Sequence, residues 1–496
     1  MWVYSSAALK SCKRFREKTT KRIFQVVGFI ILYACAVLCT ATGIPALPQN
    51  LITQEEIASG AVTLEQIRAV GKLIYTTPYN KSDGLGDGPC DISKDRTQPG
   101  NRPTIQNPFT PFLRVNGLDA QTCLECHSVL SRAEVPMTFA VGGHGGHNNS
   151  PFFMPSEIDV DSDASQVDGV AQTNGRVINP LFNFGGGGVE LVAKEMTLDL
   201  QEIKARAENA VLGTEFALVT KGVSFGKVIS NGDGTLVLEI DSNGHAIDED
   251  LVVRPFGRKG EFATIRDFDI GAVQFHFGMQ PSEVVGQGVD DDGDEVIDEI
   301  TVGEMSALSI FLASMPPPRI AEFTPEGRAG EQLFSQIGCS TCHIPEMLTE
   351  RASLNENFPE FHSKPFDNTF YSMDMSQPPI EFEKNQEGGI RVMMFSDLKR
   401  HDMGPGLAET TNGRLDSHFI TARLWGVADS APYLHDGRAL TLSEAIMAHG
   451  GEARSAKKKY HALSDSQQTQ LLAYLRLLRV PDRKAIDRLI RGPASQ

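Results

Sequence analysis

The sequence predicts a mainly α-helical chain of two tandem units on one plan, with long loops and a small β insertion in the first unit. Three observations predict it. First, Gly71-Lys72-Leu73-Ile74-Tyr75 is echoed by Gly330-Glu331-Gln332-Leu333-Phe334, each a glycine ahead of an apolar–aromatic pair in a helical pattern. Second, each of these segments leads to a Cys-x-x-Cys-His string, Cys123-Leu-Glu-Cys126-His127 and Cys339-Ser-Thr-Cys342-His343. Third, each half closes with a helix that opens on a capping-box pattern and is stopped by proline.

The chain has 496 residues and a formal charge of −17. Its 41% hydrophobic and 22% charged residues are a globular balance, which excludes wholesale disorder and collagen-like repeats. The eight cysteines are too few to staple a chain of this length, so their spacing carries the information. Residues 1–42 hold seven Lys/Arg against the single acid Glu17, and an apolar run follows from Ile23 to Thr42. That pattern is an export signal or an N-terminal anchor; the competing reading is a buried helix. Cys39-Thr40-Ala41 offers a cleavage site, Leu32-Tyr33-Ala34-Cys35 resembles a lipoprotein box, and the run is long enough to stay in the membrane. All three endings place the remainder in the periplasm, with the membrane touched only through the N-terminus. Taking the leader's +6 out of −17 leaves the rest near −23. So acidic a surface argues against nucleic acid and suits small soluble or basic partners.

The first unit spans residues 50–318. Residues 76–122 and 139–190 are rich in Gly, Asn, Pro and Asp and read as long ordered loops. Between residues 214 and 253, apolar runs at Phe216–Val219, Thr235–Ile240 and Leu251–Val253 are separated by Asn231-Gly-Asp-Gly234 and Asp241-Ser-Asn-Gly244, which are hairpin signals. Thr301-Val-Gly-Glu304 opens the closing helix at Met305–Met315, and Pro316-Pro317-Pro318 stops it. A domain boundary therefore falls near residues 316–323, and the second unit spans 324–496. It has its own polar loop at roughly 346–390. Its closing helix starts at Ser464-Asp-Ser-Gln467, carries Leu471, Leu472, Leu475 and Leu478 on one face, and ends at Pro481.

Cys-x-x-Cys-His is the attachment motif of haem c: two thiols one turn apart add to one porphyrin, and the adjacent histidine reaches the iron. Two such strings, Cys123, Cys126 and His127, then Cys339, Cys342 and His343, point to two covalently bound haems with His127 and His343 as proximal ligands. A zinc ribbon needs four thiolates close together, yet 213 positions separate Cys126 from Cys339. A thioredoxin-like pair needs a preceding strand, and neither string has one. A disulfide within Cys-x-x-Cys is strained. Cys12, Cys35 and Cys39 fall in the leader, and Cys90 is left over in a loop.

The sixth ligand of each iron decides between electron transfer and catalysis. For the second haem the candidate is His449, near the end of the predicted Thr441–His449 helix; the competing role is a solvated cap residue. For the first, a helix over Arg266–Gln280 would put His276 and Met279 on one face. His144 and His147, in a Gly/His loop, are an iron ligand that swings away, a surface metal binder or solvated loop residues. Asp290-Asp-Asp292-Gly-Asp294, with Asp298, begins like an EF-hand loop, but Glu295 and Thr301 stand where glycine and glutamate belong. The alternatives are a Ca²⁺-binding turn of reduced ligand count and a solvated acidic turn. Asp159, Asp161 and Asp163 repeat the alternation more weakly.

Ala431-Pro-Tyr-Leu-His435-Asp-Gly-Arg438 followed by Thr441-Leu-Ser-Glu-Ala-Ile resembles the C-terminal domain of the bacterial dihaem cytochrome c peroxidase superfamily. Continued through His449-Gly-Gly-Glu-Ala453, and with Ser396-Asp-Leu-Lys-Arg-His401-Asp-Met-Gly404 and Leu424-Trp-Gly426, it resembles the dihaem oxidoreductase branch more closely. The resemblance covers most of residues 325–480 and, more loosely, 60–318. It implies two cytochrome c-like domains, and it places His449 at the distal position of the second haem, giving a low-spin His343/His449 iron. It puts His435 beside a propionate with Arg438 balancing the charge, and His144 and His147 roughly where the peroxidases carry a displaceable histidine. It aligns Gly278-Met279 with a Glu-Met pair over the catalytic haem, so the acid–base glutamate is missing. Two classes stay open: a haem-dependent oxidoreductase acting on a small-molecule oxidant or donor, and a pure electron carrier with both irons six-coordinate. Either would exchange electrons with a small periplasmic electron-transfer protein.

Overall fold

The computed structural model describes residues 47–48, 50–86, 113–114, 117–118, 122–125, 127, 152–159, 172–180, 183–411 and 414–482. The predicted leader, Cys90, Cys126, His144, His147, Asp161 and Asp163 lie outside these residues; Asp159 ends the strand Phe152–Asp159.

The two echoed glycines do the same structural job. The Leu64–Thr76 helix crosses the Val302–Ala313 helix so closely that a Cβ on Gly71 would lie 2.1 Å from the Ala307 carbonyl oxygen. The Pro325–Gln336 helix crosses the Asp465–Leu475 helix in the same way, with a Cβ on Gly330 falling 2.0 Å from the Gln470 carbonyl. One turn on from each glycine an aromatic ring meets the partner helix, Tyr75 against Phe311 at 5.8 Å and Phe334 against Tyr474 at 5.5 Å between centroids. Both closing helices carry the capping box read from sequence, Thr301/Glu304 and Ser464/Gln467. The second closing helix is shorter than expected. It ends at Leu475, and Leu478 instead sits in a short strand, Leu478–Arg479, pairing with Arg319–Ile320 just after the triple proline. Leu478 is still buried, because the strand turns it onto the core formed by Leu333, Phe334, Leu471 and Tyr474.

The β insertion is present as a three-stranded antiparallel sheet, but its strands differ from those expected. They are Glu215–Thr220, Val223–Ser230 and Leu236–Ile240. The first hairpin turns at Lys221-Gly222, both at positive φ. Asp241–Gly244 is a tight turn with Ser242, Asn243 and Gly244 at positive φ, and Leu251–Val253 is not a strand; its three residues are buried for packing, without ladder partners. Among the described residues every other sheet is a two-stranded ribbon. The 346–390 region is one such place, braced by Ser353–Asn357 against Thr369–Asp374.

The longest described helix, Gly186–Glu208, carries no sequence pattern that announces it. Its first half is buried on all sides: Glu190, Lys194 and Glu195 are as enclosed as Val189, Leu191 and Met196. A helix enclosed all round has no polar face, so the amphipathic period vanishes. Its charges are answered internally. Lys194 Nζ lies 2.8 Å from Glu190 and donates to the Asn355 carbonyl and Asn357 Oδ1. Burial pushes Lys194 toward neutrality, yet Glu190, Glu360 and Glu356 hold its pKa above the usual value. Arg266 meets Glu283 at 3.0 Å and donates to Ser306. Burial and the neighbouring Glu190 push Glu356 up to about 8, and burial pushes Asp269 well above the carboxylate range.

Two expectations follow. Gly330→Ala forces the helix pair apart and lowers stability by about 2 kcal/mol, the usual cost of overpacking, with Gly71→Ala behaving alike; an unchanged urea midpoint would contradict the close crossing. Glu356 holds a proton in the folded state up to about pH 8 but loses it near 4.5 when unfolded, so it makes stability fall as pH rises between those values. Glu356→Gln, which needs no proton, is therefore expected to be more stable than the wild type at pH 8 and to lose that advantage near pH 5. Parallel pH curves for the two proteins would refute this.

Candidate functional site

The described residues of the two Cys-x-x-Cys-His strings take up the same local turn. Cys123–Glu125 and Cys339–Thr341 are short 3₁₀ turns, and the histidine N–H closes each one, His127 onto the Cys123 carbonyl at 2.8 Å and His343 onto the Cys339 carbonyl at 3.0 Å. Cys339 and Cys342 are free thiols. Burial pushes the Cys339 thiol up to about 11, which is the opposite of what an activated redox thiol needs.

The structure brings His343 and His449 together, with ring centroids 6.4 Å apart and planes tilted at 60°. The Leu442–Ala448 helix, within the predicted Thr441–His449 span, is capped by Thr441 and Glu444 and delivers His449 as its C-cap residue. His449 Nδ1 lies 2.8 Å from the Ala445 carbonyl, and His343 Nδ1 lies 3.1 Å from the Phe395 carbonyl. A carbonyl only accepts, so both Nδ1 atoms carry the proton and both Nε2 atoms keep a lone pair. Carbonyl contacts of this kind orient metal-ligating imidazoles. Burial, and then His449, push His343 down to about 4, and burial lowers His449 too, so both rings are neutral, as ligation requires. Nitrogen–metal bonds of about 2 Å on opposite sides of one ion put imidazole centroids roughly 6 Å apart. The centroid separation is therefore of the size that an ion held by both rings would require. Phe334, Phe395 and Tyr474 pack as an aromatic cluster beside it, with Phe334 6.5 Å from His343.

Sequence reasoning did not single out the group behind Cys342. His401 Nε2 lies 2.8 Å from Asp397 and its Nδ1 2.7 Å from Glu452, with Cys342 Sγ at 4.0 Å. Burial opposes charge on His401, yet hydrogen bonding, first to Asp397, holds it up at about 11. Glu452 reaches it because a Cβ on Gly451 would lie 2.0 Å from the Asp402 carbonyl, so only glycine lets the two chains touch there. The signal was in the sequence, as the Gly-Gly-Glu following His449, but spacing alone does not pair Glu452 with a histidine 51 residues away.

His435 stacks on Phe419 with centroids 4.6 Å apart, and its Nε2 is 3.8 Å from Glu409 and 3.9 Å from Asp436. Burial lowers its pKa. Asn179 clamps this loop, donating from its side chain to the Pro432 and Leu434 carbonyls and from its backbone to that of His435. Arg438 is exposed; it pairs with Asp436 and donates to the Gly406 carbonyl.

The expected Arg266–Gln280 helix is broken. It is α-helical only over Ile265–Ala272, then widens to a π-turn at Val273–Phe277, and Gly278 adopts a left-handed conformation. His276 sits in the π-turn and Met279, fully buried, lies beyond it, so they do not share a helical face. In the acidic loop the carboxylates of Asp290, Asp292 and Asp294 converge within 4.8 Å. Asp298 is not with them; its Oδ1 accepts from Ser282 and from the Gly288 N–H. Glu299 is the group sequence reading missed: burial and the charges of those three aspartates push it up to about 10.

Residues 279–478 match the family described as "Di-haem oxidoreductase, putative peroxidase". No curated protein matches the chain. Among solved structures, a MauG-like protein associated with microbial copper homeostasis is 16% identical, covering 62% of this chain and 90% of its own, with a TM-score of 0.26. Hydrazine synthase of Kuenenia stuttgartiensis is 17% identical over 36% of this chain, with a TM-score of 0.22; the alignment spans 55% of that chain. The family match supports a dihaem, peroxidase-like oxidoreductase.

His401→Ala leaves the buried Asp397 carboxylate without its ion-pair partner and is expected to cost about 3 kcal/mol of stability. A denaturation midpoint like that of the wild type would show that the pair is not structural.

Proposed function

We propose that the chain is an exported, periplasmic dihaem c-type oxidoreductase related to cytochrome c peroxidase. Cys339 and Cys342 would carry the second haem, with His343 and His449 as ligands to its iron; Cys123, Cys126 and His127 would carry the first. The observation that carries this reading is the close, carbonyl-oriented His343/His449 pair next to a Cys-x-x-Cys-His turn. When bound, the haems supply one-electron redox chemistry. The chain's own part is to hold the two imidazoles neutral, to fix their orientation through Phe395 and Ala445, and to wall the site with aromatic side chains. His435, over Phe419 and near Glu409, and Arg438 belong to the propionate side. His276 and Met279 are the candidate distal groups of the first haem, where a small-molecule oxidant or organic donor would react. Asp290, Asp292 and Asp294 are a candidate Ca²⁺ turn. The acidic surface suits a small soluble electron-transfer partner with a basic face. No described helix is long and apolar enough to cross a membrane.

Haem analysis of the purified protein should return two covalent haems per chain. EPR and near-infrared spectra should show one low-spin bis-histidine centre, and His449→Ala should turn that signal high-spin. An unchanged spectrum would remove His449 from the axial pair. A high-spin first haem that reacts with peroxide supports the enzyme, whereas two low-spin, peroxide-inert haems would make the protein a carrier.

A further inference from the structure

The haem proposal leaves unused a second cluster of ligand-type side chains, at the solvent edge of the buried charges around Lys194. Asp267 stands in the first turn of the Ile265–Ala272 helix. Glu360 and His362 lie on the loop that joins the strands Ser353–Asn357 and Thr369–Asp374. One donor atom from each of the three comes within 4.8 Å of the others. We propose that Asp267, Glu360 and His362 form a binding site for a divalent transition-metal ion of the Zn²⁺ or Mn²⁺ class.

The distances suit this. His362 Nε2 is 2.8 Å from Asp267 Oδ2 and 3.9 Å from Glu360 Oε2. Bonds of about 2.0–2.1 Å in a tetrahedron put donor atoms roughly 3.3 Å apart, midway between those values. The donor set selects the ion: one imidazole with two carboxylates suits borderline metals and not Ca²⁺ or Mg²⁺, which take oxygen alone. The ligands are held from behind. Thr264, the N-cap of the helix, donates from Oγ1 to Glu360 Oε2 at 2.6 Å and accepts from the Asp267 N–H at 3.1 Å, so one side chain orients two ligands. The adjoining cavity, lined by Lys194, Thr264, Asn357, Glu360 and His362, has room for about one water-sized sphere, and the His362 side chain is 37% exposed, which gives an ion its path in.

The charge balance points the same way. Burial above all, and then Glu190, raises the pKa of Glu356 and of Glu360, with Lys194 opposing the rise. The other nearby cations are engaged elsewhere, Arg254 by Asp248 and Asp250 and Arg266 by Glu283. Glu356, 3% exposed, has an oxygen, Oε1, with no hydrogen-bond partner. A bound cation would add positive charge beside these carboxyl groups, a part that a proton on His362 fills otherwise. The ion would tie the start of the 265–272 helix, which runs on into the π-turn bearing His276, to the 353–374 ribbon of the second half.

The test uses the full, haem-loaded chain without an affinity tag, stripped with a chelator and titrated calorimetrically with Zn²⁺, then with Mn²⁺ followed by EPR. One saturable equivalent is expected, accompanied by a rise in melting temperature. His362→Gln, at a partly exposed position that does not threaten folding, and Asp267→Asn should each weaken that equivalent by roughly 100-fold or more, beyond the cost of losing an outer-shell partner. Asp292→Asn, in the acidic loop, should leave it intact, and the haem spectrum should not move in any variant. No saturable equivalent overturns the proposal. So does an equivalent that survives both His362→Gln and Asp267→Asn, or one abolished by Asp292→Asn alone. None of these readouts depends on which residues ligate the haem irons.

Discussion

The second half of the molecule is organised by a contact that a single missing side chain permits. At Gly330 two helices touch backbone to backbone, and a methyl group would already overlap the Gln470 carbonyl. The close crossing brings Phe334 onto Tyr474 one turn later and sets where the Pro325–Gln336 helix ends. The Cys339–Thr341 turn and His343 follow directly from that end. The first half repeats the crossing from Gly71 through Tyr75 to Phe311, and there Thr122, just ahead of Cys123, donates to the Tyr75 carbonyl.

What the crossing delivers, hydrogen bonds then orient. His343 is turned by the Phe395 carbonyl and His449 by the Ala445 carbonyl, and both protons are thereby committed to Nδ1. Behind them Asp397, His401 and Glu452 link the segment next to Cys342 to the chain just past His449. The two walls of the site are therefore coupled: moving the Gly450-Gly451 turn displaces Glu452 and His449 together. Coupling of this kind preserves a ligand separation better than two independent loops can, because each wall restrains the other.

The other organising feature is electrostatic. The Gly186–Glu208 helix threads charged residues through the interior and pairs them with groups from both halves, Glu190 with the Ile265 N–H and Glu195 with the Glu350 and Arg351 N–H groups. Such a network rigidifies when satisfied and is costly where it is not. Burial above all, and then neighbouring carboxyl groups, raise the pKa values of Glu356, Glu360 and Asp269.

Local chemistry was legible in the sequence. The Cys-x-x-Cys-His turns, the Thr301/Glu304, Thr441/Glu444 and Ser464/Gln467 capping boxes, the His449 helix end and the echoed glycines are all set by residues within a turn or two of one another. The misses share a cause. The Gly186–Glu208 helix lost its periodicity to burial, Leu478 was drawn into a strand by Ile320, and Leu251–Val253 is buried without being a strand. The regular 3.6-residue pattern of Arg266–Gln280 gave no sign of the π-turn that separates His276 from Met279. Asp298 left the acidic loop for Ser282, and Glu299 joined it. By itself, the sequence determined which residues carry the chemistry and how each short segment folds, because those choices rest on local hydrogen bonds and spacing. Only the tertiary structure decided how the His343 and His449 rings are oriented, that His401 stands between Asp397 and Glu452, and that Asp267 meets Glu360 and His362. Those encounters depend on how helices and ribbons far apart in the chain pack together, and linear spacing does not encode that.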